Sequence, residues 1–534
     1  MAIFETLLAL VALCVALAVL AQRLGMPVAV LLVLGGMGVA LIPGLPAVEL
    51  DPELALALFL PPLLQISAYR TDWPAFKNHL RPILLLALGA VLFTAGAVAL
   101  VARLMVPDLP WWAAIALGAI VAPPDAVAAA SVLKRFSLPK RIVTILEGES
   151  LINDASSLVL YRFAVAAVAA GTVSYTQGAA QFVGMAVGGA VAGWLVGRIT
   201  MRVLRSIDDT LLDITVSILA GFAAYLAAEA VHASGVLAAV VCGLVLGREQ
   251  HAEFTAKTRL ELNAVWNFIE FLLASLVFML IGLQLRGLVD RLASYRVADL
   301  TLLALGVSTM LIVSRFIWVF ASAWLPRALS PRLRQVDPMP PASHLTVMSW
   351  AGMRGVVSLA AALALPTRFP GRDIIVFLAF CAIFVTLILQ GTTLGWLVRR
   401  LGVSEPHPPA PAPEEAKARA EIAHAALVAI KGHLDPGAGS EHQAAATELV
   451  AEYEARAERA DAASAETSTD QVEAQQRLRL LAIEAAREKL AQHTDQVDAE
   501  KHRAMIEELD LEEQQIRGTS GNSAHAAQPD PSSS

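Results

Sequence analysis

Trp111 to Leu133 reads WWAAIALGAIVAPPDAVAAASVL, an apolar stretch with a single charge, Asp125, set directly behind Pro123 and Pro124. A run of this length matches the roughly 20 helical residues needed to cross about 30 Å of hydrocarbon. Two consecutive prolines nevertheless remove two backbone donors and break the helix around the carboxylate. Broken helices at membrane depth are tolerated where the freed backbone lines a cavity or site. The stretch is therefore either a kink whose Asp125 faces a water-filled crevice or part of a binding site.

The rest of the chain agrees with a membrane setting. Of 534 residues, 56% are hydrophobic and 16% charged, too apolar a balance for a soluble domain to solvate its own surface. Hydropathy and turn signals together predict an all-α membrane protein with about 13 transmembrane helices. They fall near 3–21, 27–43, 50–68, 82–106, 111–133, 144–170, 179–203, 211–230, 234–248, 264–286, 299–323, 343–366 and 373–397. The first run lacks a basic leader and is followed at once by another, so it reads as a retained helix. Cys14, Cys242 and Cys381 lie far apart in apolar stretches, where a thiol behaves as a small hydrophobe.

Charge separates the chain into two parts. Residues 401–534 carry 25 acidic and 12 basic residues, leaving 22 acidic and 28 basic in residues 1–400. With the N-terminus outside, the loops of the cytoplasmic face hold 19 lysines and arginines against 6 on the other face. The positive-inside bias then places the C-terminal tail in the cytoplasm. Residues 1–400 read as the transmembrane domain and 401–413 as a Pro-rich linker. Residues 414–534 read as an acidic, mostly helical tail with a disordered end.

Ionisable groups inside spans cost on the order of 2.5–3.5 kcal/mol each at a helix centre, so they are the functional candidates. Besides Asp125, one cluster is Glu147-Gly148-Glu149-Ser150-Leu151-Ile152-Asn153-Asp154. Ser150 and Asp154 are four apart on one helix face, whereas Glu149 points elsewhere around the axis. The two carboxylates can thus serve different partners, or simply pair structurally. Another cluster is Gly352-Met353-Arg354-Gly355-Val356-Val357-Ser358, in which glycines bracket a permanent charge. Arg354 needs an acid, and Glu149 is the best candidate. Glu229, His251 and Glu270 read more simply as structural than as pH-sensing groups.

At these residues the chain resembles the monovalent cation/proton antiporter family, which includes bacterial sodium/proton antiporters and animal sodium/proton exchangers. The run Gly148-Glu149-Ser150-Leu151-Ile152-Asn153-Asp154 is the most specific match. Asp125, Gly352-Met353-Arg354-Gly355, and the segments 224–229 and 234–238 support it over about residues 1–400. The resemblance implies two inverted repeats, two crossed interrupted helices at spans five and twelve, and a homodimer. It also implies Asp154 as cation ligand and proton carrier, Asn153 as its neighbour, Ser150 as an oxygen ligand and Asp125 as a nearby carboxylate. The transported ion would thus be held by oxygens of Asp154 and Ser150, with Glu149 and Arg354 as a buried structural pair. Two departures stand out. Many relatives carry Thr where this chain has Pro124, leaving only a backbone carbonyl there, and many carry an acid after Pro61-Pro62 where this chain has Gln65-Ile66.

A buried carboxylate that takes either a proton or a monovalent cation, combined with alternating access, performs exchange. The expected function is antiport of sodium, with lithium or potassium as alternatives, against protons across the bacterial inner membrane, and hence pH homeostasis. A potassium/proton antiporter would use the same site. An intramembrane hydrolase built on Ser234 or on the paired aspartates is the reading from another class. No enzyme activity, cofactor or nucleic-acid partner is expected, and the chain has no Gly-x-x-x-x-Gly-Lys-Ser/Thr loop for a nucleotide.

Overall fold

The computed structural model describes residues 2–42, 52–133, 136, 138–170, 175–207, 209–254, 256–284, 287, 292, 295–403 and isolated residues beyond 420. The described residues are mostly helical and contain no strand. The chain divides into one unit of residues 1–404 and another of 405–534.

In the first unit the main helices are α1 (Ala2–Leu24), α2 (Val28–Ala40), α3 (Pro52–Tyr69) and α4 (Leu80–Met105). Next come α5 (Trp111–Val121), α6 (Ala126–Leu133), α7 (Lys140–Ala170), α8 (Tyr175–Leu204) and α9 (Thr210–Ala230). The series ends with α10 (Gly235–Glu253), α11 (Ala256–Leu283), α12 (Val297–Leu329), α13 (Ala342–Trp350), α14 (Val356–Leu363) and α15 (Arg372–Arg400). Among the described residues, seven helices are long and apolar enough to cross a membrane. Large apolar side chains such as Leu92, Leu219, Phe268, Leu302 and Trp324 stand exposed on the outside of the unit. Hydrocarbon, not water, is the solvent that accepts such a surface.

Local chemistry sets the helix ends. Gly25 turns left-handed just past α1, and Met26 N–H bonds back to Ala21 C=O at 3.0 Å. Asp209 caps α9 by accepting from Leu211 and Leu212 N–H at 2.9 and 3.0 Å. Several helices extend beyond the apolar runs read from the sequence. For example, α11 starts at Ala256 rather than near 264, because a helix continues past the hydrocarbon as long as its ends remain solvated or packed.

Close packing between helices runs through small residues. Gly189, Gly193 and Gly197 of α8 lie one turn apart; side chains at the first two would collide with the backbone at Ser234, which caps α10, and at Ala238, and one at Gly197 would crowd Val245. Gly243 and Gly247 of α10 face the α3 backbone in the same way at Gln65 and Tyr69. Without a hydrophobic drive between helices in lipid, such close backbone approach supplies much of the association energy.

Two helices depart from regular geometry, and a third carries two prolines without doing so. Pro61 and Pro62 lie inside an unbroken α3. A wide π-turn occupies Leu85–Ala90 of α4, and its Leu85 and Ala87 carbonyls accept from Trp318 Nε1 at 2.7 Å and Ser156 Oγ at 2.8 Å. A second π-turn occupies Thr386–Gln390 of α15. The two interruptions expected from Pro123-Pro124 and from Gly352–Gly355 are present: the chain is non-helical between α5 and α6 and between α13 and α14.

In the second unit the described residues, such as 424–428 and 449–451, are helical, and Lys431 pairs with Glu454 at 2.6 Å. Most of the linker read at 401–413 and the polar end of the tail lie outside the described residues.

Candidate functional site

The two interruptions meet. Asp125 N–H donates to Met353 C=O at 2.7 Å, which joins the break between α5 and α6 to the break between α13 and α14. Gly355 lies against the Asp125 side chain so closely that a Cβ there would collide with its carboxylate. The α13–α14 break thus needs glycine at 355 for space. Gly355→Ala should therefore destabilise the protein by about 1–3 kcal/mol, the usual range for overpacking. A melting temperature equal to wild type in purified protein would show that the break has room to spare.

Breaking a helix strands the last carbonyls of its first half, and here each set finds an arginine. Arg354 donates through Nε to Val121 C=O at 2.9 Å and through Nη2 to Ala122 C=O at 3.1 Å, and its Nη1 meets Gly352 C=O. Its own N–H donates to Thr386 Oγ at 3.1 Å, in the π-turn of α15. Arg315, from the middle of α12, donates through Nε and Nη2 to Met348 C=O in the last turn of α13 at 3.3 and 3.2 Å. Cations at these two helix C-termini also complement the helix dipoles.

Glu149 corrects one expectation. Its carboxylate is held in a two-bond fork by Arg315, at 2.6 and 3.0 Å, and not by Arg354. Both partners are almost fully buried, with side chains 1% and 2% exposed. Arg354 remains within electrostatic reach of Glu149 and Arg315, but its N–H groups are spent on carbonyls. The reason is geometric: α12 brings Arg315 to the face of α7 that carries Glu149, while the α13–α14 break turns Arg354 toward the end of α5. Arg315 was legible by the rule that singled out the others, since it is a charge in the middle of the apolar run 299–323.

The other predicted residues come together on α7 and the first break. Ser150 Oγ and Asn153 Nδ2 both donate to Pro124 C=O, at 3.4 and 3.3 Å. Asp154 is buried, and with Asp125 and Ser150 it lines one cavity. Leu60, Leu63 and Leu64 of α3 form its apolar wall, and Ser67 and Ser358 add two hydroxyls that the sequence reading passed over. Gln65, one of the two departures, does not line this cavity. It is fully buried and donates to Ser217 C=O of α9 at 2.7 Å.

Ser234, Glu229 and Glu270 make structural contacts. Ser234 Oγ caps α10 by accepting from Leu237 N–H at 3.3 Å. Glu229 pairs with Arg162 and Glu270 with Arg70, at 2.6 and 2.7 Å. The side chain of His251 lies outside the described residues. Among the described residues no cluster of His, Cys, Asp and Glu could hold a tightly bound metal ion.

Comparison with known proteins adds a family. The family described as "Sodium/hydrogen exchanger, transmembrane" matches residues 8–400. A protein named as an uncharacterized Na(+)/H(+) exchanger in Mycobacterium tuberculosis is 36% identical, over 79% of this chain and 79% of its own length. The exchanger YjcE of Escherichia coli is 33% identical over 87% of this chain and 89% of its own length. A sodium, potassium, lithium and rubidium/H(+) antiporter of Bacillus pumilus is 34% identical over 67% of this chain and 56% of its own length. Among solved structures, the sodium proton antiporter MjNhaP1 of Methanocaldococcus jannaschii superposes with a TM-score of 0.60 at 19% identity, covering 75% of this chain and 99% of that one.

Proposed function

We propose, from the premise that this chain belongs to the sodium/hydrogen exchanger family, that it exchanges sodium for protons at Asp154 by alternating access. The carrying observation is the cavity at the crossing of the two interruptions, where Asp154, Asp125 and Ser150 converge beside the Pro124 carbonyl. Such a set offers one buried carboxylate, a hydroxyl and a polarised carbonyl environment to a dehydrated monovalent cation, and the same carboxylate to a proton.

Binding is exclusive because one carboxylate cannot neutralise both ions, and that exclusivity couples the fluxes. Reorientation with Asp154 charged and empty would carry an unpaired charge through a dry barrier, which suppresses leak. Asn153 orients the site through Pro124, and Asp125 adds negative potential beside it. The Glu149–Arg315 fork and the Arg354 cap hold the two breaks in register while the site changes access.

In this reading the long helices, the shorter ones and the two interrupted pairs make thirteen crossings in two inverted repeats, with the N-terminus outside. The protein works as a homodimer in the bacterial inner membrane. The B. pumilus relative is named for sodium, potassium, lithium and rubidium, so potassium/proton exchange at the same site is the second reading. Proton flux in reconstituted vesicles, driven in turn by a gradient of each single cation, separates the two. A response to none of them overturns both.

Every residue assigned to the proposed site belongs to the first unit. Val403 is buried and its N–H closes α15 on Val398 C=O at 3.3 Å, so a cut after Ser404 spares the packed end of the first unit. Truncation there should leave exchange measurable, within about a factor of ten of full length by the usual tolerance of separate units. Vesicle assays of both proteins at low and high salt check this. Total loss of exchange would mean that the functional boundary lies inside the tail.

A further inference from the structure

We propose that Ser358 is an oxygen ligand of the transported cation, contributed by the second interrupted helix. The proposal rests on the reading of Asp154 as the ion-binding carboxylate and adds a residue to it.

Ser358 is 1% exposed, and its hydroxyl has no hydrogen-bond partner among the described residues. That is costly for a buried polar group and calls for a physical reason. Several other buried helix serines here place the hydroxyl proton on a carbonyl three or four residues back, and two that do not, Ser217 and Ser308, lie away from this cavity. Ser314 uses Leu311 at 3.1 Å, Ser349 uses Leu345 at 2.8 Å and Ser157 uses Asp154 at 3.0 Å. Ser358 is the third residue of α14, so the residues three and four back, Gly355 and Arg354, belong to the break. Neither carbonyl accepts from Ser358, and that of Gly355 accepts from Leu359 N–H at 3.4 Å.

The same residue lines the cavity that holds Asp125, Ser150 and Asp154. A monovalent cation stripped of water needs several oxygens, more than the Asp154 carboxylate provides by itself. Pro124 has no side-chain oxygen, and its carbonyl already accepts from Ser150 and Asn153. The Ser358 hydroxyl can turn a lone pair to the cation and its proton toward a carboxylate lining the cavity. Cation binding then links α7 to α14, so that both interruptions sense occupancy of the site.

The test compares Ser358→Ala, Ser358→Thr and Ser358→Val in the full-length protein. Thr and Val match in shape and differ in the hydroxyl, so their contrast isolates the oxygen from packing. In vesicles the half-saturating sodium concentration should rise about tenfold in Ala and Val, the equivalent of one hydrogen-bond-strength contact. Thr should restore affinity. In purified protein the sodium concentration needed to raise the melting temperature should shift in parallel, which reads binding without transport. A wild-type sodium response in Ala, or a loss in Val that Thr does not restore, overturns the proposal. Asp154→Asn in the same assays keeps the two levels apart: if it still exchanges, the underlying reading of the site is wrong, whatever Ser358 does.

Discussion

Asp154→Asn is expected to reduce sodium-dependent proton flux to background while leaving an inserted, folded protein. The amide keeps the volume of the carboxyl group, and the local hydrogen bonds survive because Ser157 Oγ donates to the Asp154 backbone carbonyl and not to its side chain. What the amide loses is the negative charge. It can neither neutralise a dehydrated cation nor release a proton, and a cation in a buried site without a counter-charge is strongly disfavoured. Both half-reactions fail together, so the loss should appear at every pH and at every sodium concentration. Ser150→Ala is the graded control: it removes one neutral oxygen and should weaken cation affinity by about tenfold without removing exchange. The measurement is proton flux in vesicles containing equal amounts of each protein. Flux in Asp154→Asn within a few-fold of wild type would sink the assignment of the carrier.

The second large effect concerns stability. Removing either member of the Glu149–Arg315 fork leaves a buried, uncompensated charge, and the expected cost is about 3–5 kcal/mol for each single variant. Glu149→Gln leaves the Arg315 guanidinium without a counter-charge, although Met348 C=O and the amide oxygen can still accept from it. Arg315→Met strands the Glu149 carboxylate and also uncaps the end of α13. Removing both charges leaves neither stranded, so the double variant should lose clearly less than the sum of the singles. Thermal unfolding of purified wild type, singles and double gives the cycle. The same cycle on Glu149 and Arg354 should show weaker coupling, because Arg354 reaches Glu149 through space and not through a hydrogen bond. Equal coupling in the two cycles would contradict the pairing seen in the structure.

The double loss also bears on mechanism. Arg315 and Arg354 each cap the first half of an interrupted helix, so the two breaks are not loose segments but ends held by charged hydrogen bonds. Rigid breaks can keep the oxygens around Asp154 in fixed positions, as a selective site requires. A variant that loosens a cap should therefore blur cation selectivity as well as lower stability.

Much of this was legible in the order of residues. Apolar runs of spanning length dictate helices in a membrane setting, because hydrocarbon leaves no other way to satisfy the backbone. Pro123-Pro124 and the glycines around Arg354 dictate where two of them break, since proline deletes donors and glycine admits the close approach to Asp125. Helical periodicity alone places Ser150 and Asp154 on one face and Glu149 on another. Only the tertiary structure decided which arginine meets Glu149, what Gln65 bonds to and that Ser358 lines the cavity. Glu149 and Arg315 are 166 residues apart, and nothing in their local sequence ranks Arg315 above Arg354 as partner. A buried charge announces that it needs a partner, because desolvation is a local cost. The identity of that partner is set by how helices cross, and crossing depends on the packing of small residues and of breaks summed over the whole membrane unit.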